Sequence, residues 1–447
     1  MASNPQPGVD SLPNEPLRLV AAPPAPEPAS GLPAEPRPLL SRWAQPRHVD
    51  DSYVELERRA LPALTSLRFF AAFYVVVHHL INVALLHSQG ADADREATWY
   101  LAWATQGHVG VTFFFVLSGF ILAWCYHRAF AAAPDDALRS TRRRFLLARF
   151  ARVWPLHAAM FVVFLPLAVL DAGVNVAGIA QTAWQGALNL SLLHAWVPGG
   201  ADGLSDTFNA PSWTLSCEAL FYVVFPAIAT LLVRRLRWGT AQLTLLIAAM
   251  WLMLGAAGAA AAGTAHGDWL LRVFPGSRLA DFTIGVALGL IVVQHLQKRA
   301  LRSQAPAPRV SGGWTALEAA LITATCLSPL LWTLAASGVL PETLGASWFH
   351  LPTIGATILV MALERGAISR RLLAMRSLVW LGEISYALYL VHLFIILAAY
   401  RVGLYDLLGP WATSALVVAL ALGVSAIVHE RFEKPARARI VARYTRS

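Results

Sequence analysis

The side chains best suited to chemistry lie inside apolar stretches. In Leu64–Leu86, LTSLRFFAAFYVVVHHLINVALL, Arg68 sits near one end and His78 and His79 well inside. Glu218 interrupts WTLSCEALFYVVF, and His392 follows Tyr389 in ISYALYLVHLF. An imidazole can take the proton of an alcohol near neutral pH, and a carboxylate partner orients the ring and raises its basicity. A histidine can equally carry an acyl group as a nucleophile. Arg149 and Arg152 are three residues apart and share a helical face. Guanidinium forks match phosphate. The set fits base-assisted transfer to a hydroxyl from a phosphorylated donor. Each residue also has a plain structural role open to it, because polar groups inside membranes glue helices and arginines at span ends anchor them.

The elements that must hold these residues are membrane helices. The chain has 447 residues, of which 57% are hydrophobic and 14% charged. An average soluble domain is about 25% charged. The apolar residues fall in blocks of about 20, enough for one helical crossing. The expected fold is therefore all-α, a polytopic integral membrane protein of about ten transmembrane helices. The spans are predicted near 64–86, 105–126, 151–171, 212–233, 241–262, 276–295, 315–337, 349–364, 378–400 and 409–430, the eighth being short. The net charge of +9 comes from arginines beside the block ends. It therefore speaks for membrane orientation and lipid contact rather than nucleic-acid binding.

Basic residues alternate between the two sides. Arg139, Arg142, Arg143, Arg144 and Arg149 follow span two, and the spacer after span four holds Arg234, Arg235 and Arg237. The segment 172–211 has no Lys or Arg. With ten spans this places both termini in the cytoplasm. Residues 1–61, with twelve prolines before residue 47, are expected to be a disordered cytoplasmic tail, with a short helix at Tyr53–Ala60. Residues 62–436 form the membrane domain, and 437–447 a basic cytoplasmic tail. A short interfacial or re-entrant helix is expected at Ala187–Trp196, and His429 is expected near the cytoplasmic surface.

Topology also gives depth, at about 1.5 Å per residue. Arg68 falls near the cytoplasmic side and His79 about 16 Å further across. With span four entering from outside at residue 212, Glu218 falls at a depth comparable to His79, and His392 overlaps both. Glu218 should meet a histidine, an arginine or a hydroxyl, since an unpaired carboxylate is costly there. His78 points about 100° away from His79 around the helix. Cys125, Cys217 and Cys326 form no CxxC pair, so no metal site or disulfide framework is predicted. No Walker, dinucleotide-glycine, HExxH or GxSxG pattern occurs.

Several segments in order resemble the acyltransferase 3 family of integral membrane acyltransferases, which includes bacterial polysaccharide O-acetyltransferases. They are LTSLR at 64–68 with His79, GVTFFFVLSGF at 110–120, RFARVWP at 149–155, SWTLSCEALFY at 212–222, Phe282 with Gly285, LGEISYALYLVH at 381–392, and FEKP at 432–435. The resemblance spans about residues 62 to 436. It implies a multi-pass protein of a bacterial cytoplasmic (inner) membrane. It implies an acyl-CoA donor, commonly acetyl-CoA, with no tightly bound cofactor, and a hydroxyl acceptor on a cell-surface or exported carbohydrate or lipid-linked glycan. Under it, His79 and Glu218 are catalytic, and Arg68, Arg149 and Arg152 bind the donor. Trp213, Tyr222, Ser385, Tyr389 and His392 contact substrate. A natural-product acceptor, macrolide-like, is the alternative within enzymes, and a transporter or exporter of a polar metabolite the alternative outside them. Homo-oligomerisation is left open.

Overall fold

The computed structural model describes residues 61–88, 103–104, 106–173, 175–198, 208–261, 263–301, 310–336, 339 and 347–445. The expectations for the proline-rich tail and the helix at 53–60 lie outside the described residues, which contain no strand. The main helices are α1 (Pro62–Ser88), α2 (His108–Ala131), α3 (Leu138–Ala172), α4 (Val176–Leu190), α5 (Trp213–Ala229), α6 (Thr240–Ala261), α7 (Gly267–Arg272), α8 (Pro275–Leu301), α9 (Gly312–Ala336), α10 (Leu351–Leu363), α11 (Arg376–Arg401), α12 (Leu404–Val428) and α13 (Lys434–Thr445). Among the described residues, nine helical stretches are long and apolar enough to cross a membrane, and Trp348–Leu363 is a shorter apolar helix. The fold is thus all-α and polytopic, with the eighth predicted span the short one.

Three features differ from the sequence reading or go beyond it. First, α3 starts at Leu138, thirteen residues before the predicted span. Its first turns carry the arginines, which favour helix as well as leucine does but end an apolar window. Arg149 and Arg152 therefore stand on one continuous helix with His157. Second, the expected helix at 187–196 is displaced. Helix α4 begins at Val176, where the Asn175 side chain caps it by accepting from the Gly178 N–H at 2.9 Å. Only a short 3₁₀ turn, His194–Trp196, follows. Third, the basic C-terminal stretch is helical through Thr445 and packs on α3.

Close helix contact is set by glycine. Helix α1 packs on α11, and a Cβ at Gly382 would overlap the Thr65 carbonyl. Helices α2 and α8 likewise meet at Gly119 and Gly285, where an added Cβ would run into the facing backbone. Small residues allow this approach where lipid offers no hydrophobic drive for association. Around α2, α5 and α8 lies an aromatic core. Phe221 stacks on Phe282 at 4.7 Å and meets Phe115 edge-on at 5.1 Å. Such geometries add to the area effect of burial.

Buried charge elsewhere in the bundle is paired with its own neighbours. Glu318 of α9 is fully buried and accepts from the backbone N–H groups of Gly366, Ile368 and Ser369 and from the Ser369 hydroxyl. It ties α9 to the turn after α10. Arg278 and Asp281 of α8 pair at 3.0 Å, and Arg278 also donates to Thr112 Oγ1 at 2.7 Å. Arg278 Nε is nonetheless buried without a hydrogen-bond partner.

Candidate active site

Two histidines from helices far apart in sequence come together. The α1–α11 contact at Gly382 places the His79 and His392 rings 5.3 Å apart between centroids, inclined by 41°. His392 is fully buried. Its Nδ1 lies 3.0 Å from the Leu388 carbonyl. A carbonyl can only accept, so Nδ1 carries the proton and Nε2 presents a lone pair. That Nε2 is buried without a hydrogen-bond partner. Buried polar atoms are rarely left so, and those that are invite a functional account. His79 keeps partial accessibility. The His78 ring stands edge-on to His79 at 4.9 Å and is engaged on its own helix and beyond: the Gly107 N–H donates to His78 Nδ1 at 3.4 Å, and Asn82 lies within hydrogen-bond reach of the same ring.

Glu218 belongs to a different layer. It accepts from the Tyr222 hydroxyl at 2.6 Å. The charges that act on it are Arg152, Arg68 and Arg149. Among the described residues no hydrogen bond joins Glu218 to His79. Of the partners weighed from sequence, it bonds the hydroxyl and lies within the field of the arginines. The reason is that the chain before α5 has already plunged into the bundle. Asn209 Nδ2 donates to the Leu390 carbonyl at 2.9 Å, and the Tyr389 hydroxyl donates to the Pro211 carbonyl at 3.2 Å. Leu390 is 14 residues, about 21 Å, along α11 from Arg376. Helix α5 therefore starts deep in the bundle, and Glu218, seven residues past Pro211, lies about 10 Å further toward the arginine-rich side.

The arginines converge there. Arg149 Nη2 donates to the Tyr126 hydroxyl at 3.3 Å, and its guanidinium lies over the Tyr126 and Tyr222 rings at 5.6 and 6.0 Å. These cation–π contacts orient the fork without neutralising it. Arg68 feels Arg152, Glu218 and Glu433. Arg68, Arg149, Arg152 and Glu218 all retain partial accessibility. The structure thus brings Arg68, Arg149, Arg152, Glu218 and Tyr222 into one layer and His79 and His392 into another.

The remaining sequence candidates are engaged by their own surroundings. Ser385 is buried and donates to the Gly382 carbonyl at 2.8 Å. Trp213 meets Phe115 edge-on at 6.1 Å. Tyr389 stands 6.1 Å from the His392 ring. His429, placed by topology near the cytoplasmic side of the membrane, is buried among its neighbours, and its Nδ1 pairs with Glu433 Oε2 at 2.8 Å. The sequence reading passed over Arg437, which joins the arginine layer from α13. A single-residue signal for it existed only as one arginine among several in a basic tail. Among the described residues no three His, Cys, Asp or Glu side chains converge to hold a metal ion.

Beyond α4 a second polar knot closes the loop. His157 Nε2 donates to the Asn189 carbonyl at 3.0 Å, Asn189 Nδ2 donates to Ser212 Oγ at 3.2 Å, and Ser212 Oγ meets His194 Nε2 at 3.4 Å. His194 is fully buried, and that desolvation holds its pKa down to about 4. The knot fixes the segment that delivers α5 into the interior.

No solved structure matches the chain significantly. The chain is 31% identical over 389 residues to Acyltransferase MdmB of Streptomyces mycarofaciens, covering 82% of this chain and 88% of that protein. It is 24% identical over 351 residues to Peptidoglycan O-acetyltransferase OatA of Listeria monocytogenes, covering 75% of this chain but 49% of that protein. Residues 61–430 match the family described as Acyltransferase domain. With the motif-bearing helices and most of the chain inside that match, the protein belongs to the acyltransferase 3 family of membrane acyltransferases.

Proposed function

We propose that this acyltransferase moves an acyl group, acetyl in the first instance, from acyl-CoA to a hydroxyl of a cell-surface or exported carbohydrate. The observation that carries the reading is the separation of an arginine layer from a histidine pair within one bundle. The arginine-rich face is taken as cytoplasmic on the positive-inside rule. CoA phosphates then meet Arg149 and Arg152, while the thioester extends toward His79. His79 takes the acceptor proton as the hydroxyl oxygen attacks the thioester carbonyl. The C–S bond breaks, and the proton returns to the departing thiolate, so no net proton is consumed. His392, with its tautomer fixed by Leu388, offers Nε2 to support the charged His79 ring. Glu218 serves the donor side, where it balances part of the arginine charge.

The name of the peptidoglycan O-acetyltransferase supports a glycan hydroxyl as acceptor. A lipophilic natural-product alcohol is a second reading. The aromatic surroundings of the histidines favour it, since Phe114 meets Tyr389 edge-on at 5.7 Å beside His392. Mass spectrometry of surface glycans and of extracted small molecules, from cells with and without the gene, tests both. An acetyl mass difference on glycans supports the first reading. A difference confined to small alcohols supports the second. Solute flux without acyl transfer in membrane vesicles sinks both.

A further inference from the structure

The arginine layer holds more positive charge than the described protein groups offset. Helix α13 packs along α3 and brings Arg437 to Arg152 and Arg149, whose charges act on it most strongly. Both Arg437 Nε and Arg149 Nε are buried without a hydrogen-bond partner. The carboxylate nearest Arg437 in sequence, Glu433, is taken by His429. Glu218 is shared among Arg152, Arg68 and Arg149 and already accepts from Tyr222. Buried like charges brought together are costly unless an anion joins them. Arginine forks with free N–H groups are shaped for phosphate oxygens.

We propose that Arg437 completes the donor site and binds the 3′-phosphomonoester of CoA. This rests on the acyl-CoA reading above and goes further by assigning a residue beyond the matched family region. The assignment to the monoester follows from order along the donor. The thioester must reach the histidine layer, so the nucleotide end is left furthest from it. Arg437 stands on the last helix, after the end of α12, at the arginine-rich side. A phosphomonoester carries up to two charges near neutral pH, more than either phosphate of the diphosphate bridge, and matches an additional guanidinium.

The test compares acetyl-CoA with acetyl-dephospho-CoA, which lacks only this phosphate, in the full-length protein and in Arg437→Gln. Removing one charge-assisted contact should raise the KM for acetyl-CoA about tenfold and leave kcat in place. The KM for the dephospho donor, already weak with the parent protein, should be unchanged by the substitution. Arg437→Lys should recover part of the preference. Equal weakening of both donors, or no effect on either, overturns the assignment. If the parent protein transfers acetyl from neither donor, the acyl-CoA reading itself fails, and the assignment falls with it. Elution on size-exclusion chromatography separates a folding defect from lost binding.

Discussion

The His79 and His392 rings stand 5.3 Å apart, and His392 Nδ1 is tied to the Leu388 carbonyl. A buried imidazole thereby keeps its Nε2 lone pair without a hydrogen-bond partner. The tautomer of His392 is set by the backbone of α11.

His79→Ala should lower kcat by 10²-fold or more, within the range of about 10²–10⁴ that a general base contributes. His392→Asn keeps a donor for the Leu388 carbonyl but removes the Nε2 base, and should cost about 10–100-fold in kcat with a small change in donor KM. The measurement is acetyl transfer from labelled acetyl-CoA in membrane vesicles, with insertion verified separately. Full turnover in either correctly inserted variant removes that residue from the mechanism.

Glu218→Gln separates the two layers. The amide still accepts from Tyr222, but the charge facing Arg152, Arg68 and Arg149 is gone. Donor KM should change severalfold while the pH dependence of kcat stays with the histidines. A shift in the pH profile of kcat with constant donor KM would place Glu218 with His79 instead.

Gly382→Val puts side-chain atoms where the Thr65 carbonyl lies. Overpacking of this kind costs about 1–3 kcal/mol and here pushes α1 from α11. Both thermal stability in detergent and activity should fall together. Gly423 has open space around its Cβ position, so Gly423→Ala should leave both unchanged. Equal behaviour of the two variants would show that the α1–α11 approach does not set the site.

Acid should loosen the loop that carries α5 inward. Burial lowers the pKa of His194 from 6.5 to about 4, so the folded protein binds its proton more weakly than the unfolded chain. The neutral ring's contribution is complete above pH 6.5 and is lost as pH falls toward 4, amounting to about 3 kcal/mol in full. Thermal unfolding in detergent at pH 7.5, 6 and 5 checks this. His194→Gln should flatten the decline, and an unchanged acid limb would exclude His194 as its source.

The sequence by itself determined the membrane class and the order of the apolar helices, and it named residues whose chemistry suits acyl transfer. These follow from local rules: a helix needs about 20 apolar residues to cross a bilayer, and costly charges within it are retained for a reason. Depth counted along a single helix also placed Arg68 and His79 in separate layers. What the sequence could not supply was partnership. Counting residues assumes that each helix starts at the membrane surface, but Asn209 and Pro211 are held by Leu390 and Tyr389 well inside the bundle, so Glu218 bonds Tyr222 within the field of the arginines rather than His79. The His79–His392 pair depends on how closely α1 can approach α11, which Gly382 permits. Arg437 reads as one more positive charge in a basic tail until α13 folds back on α3. Apolar length is a property of one segment and is written in its residues. The meeting of side chains about 5 Å apart and more than 300 residues distant in sequence is fixed only when helices pack.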